Sequence, residues 1–190
     1  ELNTIINIVK ELDSYDNTTW YDIINNLRMT LRYEKLVETE IQTINELIEY
    51  LLPKDIEGRI QTIVTKPDWE HERQSDGTFK DLADERAEKF AEELVRESID
   101  LIQYLPKIVV GEQRKAFIFG KKLSEFMVNK EDFLQEIINA IKTVPKEEQN
   151  TELLIGYLQN FNEERRREIV NEVIHSPEIG YNSIYLARWY

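Results

Sequence analysis

The sequence contains no cysteine, which excludes disulfides, thiolate metal sites and a cysteine nucleophile. It has only two histidines, and just 6 glycines and 5 prolines among 190 residues. Long helices need few turn residues, so that scarcity points to an α-rich chain. Cations are also in deficit: 24 Lys and Arg stand against 37 Asp and Glu, for a net charge of −13. A phosphate-binding surface works by clustering Lys and Arg and releasing counterions, so nucleic acid is not an expected partner. The one tight basic cluster, Arg165, Arg166 and Arg167, is flanked by Glu163, Glu164 and Glu168 and reads as a solvated helix face. No apolar run approaches the roughly 20 residues that span a bilayer, and no signal peptide is visible. No membrane partner is expected, and the cytoplasm is the expected location.

Hydrophobic residues at 41% are too many for a disordered chain, and their spacing is helical. Leu2, Ile5, Ile6, Val9 and Leu12 mark a first helix, and Trp20, Ile23, Ile24, Leu27 and Leu31 a second. A third is expected over about 34–52, ended by Pro53, and a short fourth stops before Pro67. Residues 66–78 form the longest interruption, with Pro67, Trp69 and an Asp76-Gly77 turn. Thr78, with Asp81 three residues on, is the expected N-cap of a long helix over about 79–104. Ile108, Val109 and Val110 read as a buried turn or one-turn helix rather than a strand. Further helices are expected near 114–127, 131–143, 147–161, 163–175 and from Pro177 onward, with Asn129, Asn162 and Ser176 at N-cap positions. The reading is all-α, about ten helices, organised as N-terminal helices over 1–65, a loop over 66–78, and a long helix with helical hairpins over 79–190.

The last third repeats itself. Phe119-Gly120 recurs 36 residues on as Ile155-Gly156, and Phe133, Leu134, Glu136, Ile137 and Ile138 recur as Ile169, Val170, Glu172, Val173 and Ile174. Phe126 matches Phe161 with a one-residue gap. A helix pair of this kind cannot bury its apolar face alone, and stacking on neighbours buries a continuous core. Antiparallel pairs stacked as a short α-solenoid of the HEAT or TPR sort are therefore expected, with a closed bundle as the alternative. Gly120 and Gly156 sit inside helical stretches, where glycine costs about 1 kcal/mol against alanine. A close helix–helix crossing would account for both.

Chemical motifs are few. Glu172 and His175 form a Glu-x-x-His pair of the type that di-iron bundles use twice, and Asp68 and His71 have the same spacing within the interruption. A solvated helix end, with His175 near the C-terminal dipole, is the simpler reading. His71 lacks a second histidine four residues on, so it is not a zincin motif, and neither a phosphate loop nor a Gly-x-Ser-x-Gly elbow is present. No catalytic residue, metal ligand or cofactor site is assigned. Aromatic residues anchor many interfaces, which makes Trp69, Tyr185, Trp189 and Tyr190 candidate partner-binding residues, while Tyr157 lies on an apolar face and reads as core. The apolar stretch from Tyr185 to Tyr190 wants a neighbour to cover it, and the chain, which starts at Glu1, reads as a piece of a longer protein.

The run from Leu51 to Ile60, the acidic stretch Asp84 to Glu88, Phe119 to Leu123 and Asn150 to Leu158 resemble helical-repeat regions of very large bacterial proteins. In those proteins the repeats lie downstream of a P-loop nucleotide-binding module of the signal-transducing type, and several are implicated in anti-phage defence. The resemblance implies a helical-repeat interaction or sensor segment of a larger bacterial protein, without catalysis of its own. It also implies a protein partner, either separate or another segment of the parent chain. The alternative from a different class is a carboxylate–histidine metal enzyme on a helical bundle, using Glu172 and His175.

Overall fold

The computed structural model describes residues 20–67, 71–73 and 76–180. The helix expected around Leu2–Leu12 and the segment after Gly180 lie outside them. The described chain is all-α apart from one two-stranded ribbon, and it divides into two compact units, Glu1–Arg59 and Ile60–Tyr190. The expected organisation was one continuous array interrupted by the 66–78 loop.

In the first unit, α1 (Trp20–Tyr33) and α2 (Glu38–Leu51) pack against each other. The three-and-four spacing of Ile44, Leu47, Ile48 and Leu51 puts all four on one face of α2, where they bury Ile24 of α1, with Ile23, Leu27 and Leu31 packed around them. Glu38 and Glu40 occupy the first turn of α2, where the helix dipole favours acid. Glu40 also reaches back to accept the Val37 N–H at 3.0 Å. The helix stops one residue before the Leu52-Pro53 step, as proline dictates. Asp55 then caps α3 (Ile56–Ile60) by accepting the Gly58 N–H at 2.8 Å.

The second unit begins with a π-helical turn, Gln61–Thr65. Its last two carbonyls are put to use: Val64 and Thr65 accept the N–H groups of Lys115 and Arg114 at 2.9 and 3.1 Å. Strands β1 (His71–Arg73) and β2 (Phe79–Asp81) form an antiparallel ribbon, with Arg73 opposite Phe79. At its tip Gly77 takes φ +85°, and Asp76 accepts from the Thr78 N–H and hydroxyl. Because residues 79–81 are paired as a strand, α4 starts later than expected, at Leu82, and runs to Arg96. Its N-cap is Asp81, not Thr78: the Asp81 carboxylate accepts from the Ala83 and Asp84 N–H groups.

The long helix expected to reach residue 104 ends eight residues early. Ser98 adopts φ +55°, and the Ser98 and Ile99 N–H groups bond the carbonyls of Val95 and Leu94, which is a Schellman closure made with serine instead of glycine. A 3₁₀ turn (Ile102–Tyr104) and the one-turn helix α5 (Leu105–Ile108) follow. Val109 is buried, and Val110 makes a single bridge to Gln149. Then come α6 (Ala116–Phe126), α7 (Lys130–Thr143), α8 (Glu152–Tyr157, extended by a 3₁₀ turn to Asn160) and α9 (Glu163–Ile174). Asn162 caps α9 as expected, accepting the Arg165 N–H at 2.9 Å, whereas Asn129 makes no side-chain cap bond.

Helices α4, α6 and α8 lie side by side and run the same way. Along α4 and α6, Asp84 meets Lys115 and the Phe90 and Phe119 rings stand 5.9 Å apart. Along α6 and α8, Gly120 lies against Leu153 and Tyr157, and the Asn160 amide reaches the Lys121 carbonyl and the Ser124 hydroxyl at 2.9 and 2.6 Å. The intervening α5 and α7 also touch each other. α6 and α8 start 36 residues apart and each carries a glycine at its fifth position. A Cβ on Gly156 would fall on the Phe117 carbonyl, and one on Gly120 on the Leu153 carbonyl, so the two glycines are the contact points of one close crossing.

Candidate functional site

The four aromatics picked out as partner anchors, Trp69, Tyr185, Trp189 and Tyr190, fall outside the described residues. Tyr157 is fully buried, as its apolar face suggested. Its ring packs 5.5 Å from Phe133 and 5.9 Å from Phe161, and its hydroxyl donates to the Lys130 carbonyl at 3.2 Å. Burial pushes the phenol well above its ordinary value.

Glu172 and His175 are both exposed on α9. His175 is the C-cap, and its Nδ1 lies 2.7 Å from the Asn171 carbonyl, a geometry that a protonated Nδ1 satisfies within the helix's own last turn. Among the described residues no three His, Cys, Asp or Glu side chains come together in a metal-binding group. In the basic cluster, Arg165 forks onto Glu131 of α7 at 2.9 and 3.1 Å and reaches Glu168 at 2.9 Å, while Arg167 pairs with Glu163. Bonds from Glu131 and Glu168 hold the Arg165 guanidinium further toward its charged form.

What the fold does assemble is a pair of polar fasteners that the sequence pattern had not singled out. One joins α4 to α6. Lys115, buried at the N-cap of α6, places its Nζ 2.5 Å from Asp81 and 2.7 Å from Asp84. Burial raises the Asp81 carboxyl, but the Lys115 bond, the Ala83 N–H and the lysine's charge outweigh it, and the net shift is downward. Lys115 itself moves up, because bonds and charge from Asp81 and Asp84 outweigh its own desolvation.

The other fastener holds the loops. Gln149 is buried. Its amide nitrogen lies 2.9 Å from the carbonyls of Ile141 and Val144 and 3.0 Å from that of Glu178, and its oxygen accepts the Gly180 N–H at 2.8 Å. Gln113, 36 residues earlier, sits just before α6 as Gln149 sits just before α8. Its amide donates to the Lys107 and Val110 carbonyls at 3.0 and 2.8 Å, and its oxygen has no partner among the described residues. The recurrence of glutamine at the same offset as Gly120 and Gly156 was the available signal.

Two surface features complete the picture. A depression of about 320 Å³ between the loops before α6 and α8 is lined by Gly111 and residues 147–152. Glu152 stands there, and the surrounding protein raises its carboxyl above the ordinary range. At the opposite end, the α6–α7 turn exposes Phe126 and Val128, the latter 91% open to solvent. Lys122 lies 5.1 Å above the Phe126 ring and pairs with Glu125 at 2.8 Å. Among the described residues no helix is long and apolar enough to cross a membrane. No protein-family model matches the chain, and no curated protein or solved structure matches it either.

Proposed function

We propose that this chain is a helical-repeat interaction segment of a larger bacterial protein: a short, cytoplasmic α-solenoid that engages a protein partner, or another segment of its parent, without catalysis of its own. The observation that carries the reading is the parallel stack α4–α6–α8, in which α6 and α8 repeat at 36 residues with glycine at the crossing and glutamine in the preceding loop. Stacked helix pairs with polar outer faces build extended binding surfaces, because each unit supplies the same exposed positions to a neighbouring site. The polar side chains this unit concentrates internally, Lys115, Gln113 and Gln149, are occupied in holding helices and loops together. The resemblance of Phe119–Leu123 and Asn150–Leu158 to repeat regions of large bacterial signalling proteins points the same way. The test is affinity capture with the immobilised chain, followed by calorimetric titration of the captured protein in pure form. Saturable, stoichiometric binding is expected. Hydrolase or nuclease turnover by the pure chain, with no partner bound, would overturn the proposal.

A further inference from the structure

We draw no further inference here: the strongest candidate, the exposed apolar tip of the α6–α7 turn formed by Phe126 and Val128, carries nothing because the charges beside it pair with one another, as Lys122 does with Glu125 and Arg165 with Glu131, and nothing in the structure shows what covers it.

Discussion

Replacing Gly156 by alanine sets helix propensity against packing, and the two predict opposite signs. Propensity alone favours alanine by about 1 kcal/mol in a helix interior. In this fold the new Cβ would fall on the Phe117 carbonyl oxygen and lie 2.7 and 2.9 Å from the Phe117 carbonyl carbon and Cα. Comfortable carbon–carbon contacts are about 3.5–4.0 Å. All three atoms are α6 backbone, so no rotamer change can relieve the clash and the helices themselves must part. Overpacking of this kind costs about 1–3 kcal/mol. Because the crossing also seats Leu153 and Tyr157, both fully buried, the upper part of that range is expected, which leaves about 1–2 kcal/mol net of the propensity gain. For a unit of this size that lowers Tm by about 3–10 °C. Calorimetry or circular-dichroism melts read it directly. Gly120→Ala should behave alike, since its Cβ would press on the Leu153 carbonyl and approach the Tyr157 nitrogen to 3.1 Å. The double variant should lose less than the two single losses added, because the gap opened by one methyl admits the other. Gly77→Ala is the control for left-handed strain without a clash, as nothing lies within 4 Å of that site; about 1–2 kcal/mol is expected there. A Gly156→Ala protein that melts at or above the parent temperature would refute the close crossing.

The remaining predictions concern the fasteners and one helix end. Lys115→Met leaves Asp81 and Asp84 unneutralised at the start of α4 and should cost about 2 kcal/mol, below the range for wholly buried pairs because Asp84 is 39% exposed. The Asp81 carboxyl is lowered, so its contribution is present above the ordinary value of 3.8 and is lost as pH falls through its lower folded value. Denaturant titrations should therefore give a constant gap between parent and variant from pH 5 to 8, closing below about pH 4; a gap that widens in acid contradicts the ion pair. Gln149→Ala strands the Gly180 N–H and several carbonyls and should cost more than Gln113→Ala, by about 1–2 kcal/mol. Equal losses would deny Gln149 its role in joining successive loops. Ser98→Gly should raise stability by about 1 kcal/mol, because glycine adopts the φ +55° that serine is forced to take; a lower melting temperature would contradict the Schellman closure.

The helices that sequence periodicity places well are those whose ends have a local cause. α2 ends at Leu51, ahead of Pro53, and α9 begins at Glu163, behind its Asn162 cap, each for a reason readable within four residues. The misplaced ends are set from far away in sequence. β1 and β2 are three residues each, too short for any period to register, and their pairing removes 79–81 from the helix that Thr78 would have capped. Residues 147–151 have helical spacing but do not join α8, because Gln149 and Asn150 bond to the loops on either side, including the Val109 carbonyl at 2.8 Å. The same limit applies to the site residues. Phe126 matched Phe161 by position, yet one lies exposed at a turn and the other packs on Tyr157. Apolar spacing alone does not distinguish an exposed ring from one packed on a core residue.

Within the stack, the two contacts of α6 are built by different means. Toward α8 the helices meet at glycines, and the loops before them are pinned by glutamines; Gln113 precedes Gly120 and Gln149 precedes Gly156 by the same seven residues. Toward α4 the contact is made by the Phe90 and Phe119 rings, 5.9 Å apart, and the start of α6 is pinned by the Lys115 ion pair instead of an amide. Apolar matches would suit any two amphipathic hairpins. The glycines and glutamines are more telling, because each is constrained by a surface or loop from the neighbouring pair. α6 and α8 thus share glycine and glutamine at a 36-residue offset, whereas α4 joins α6 through an ion pair and an aromatic contact.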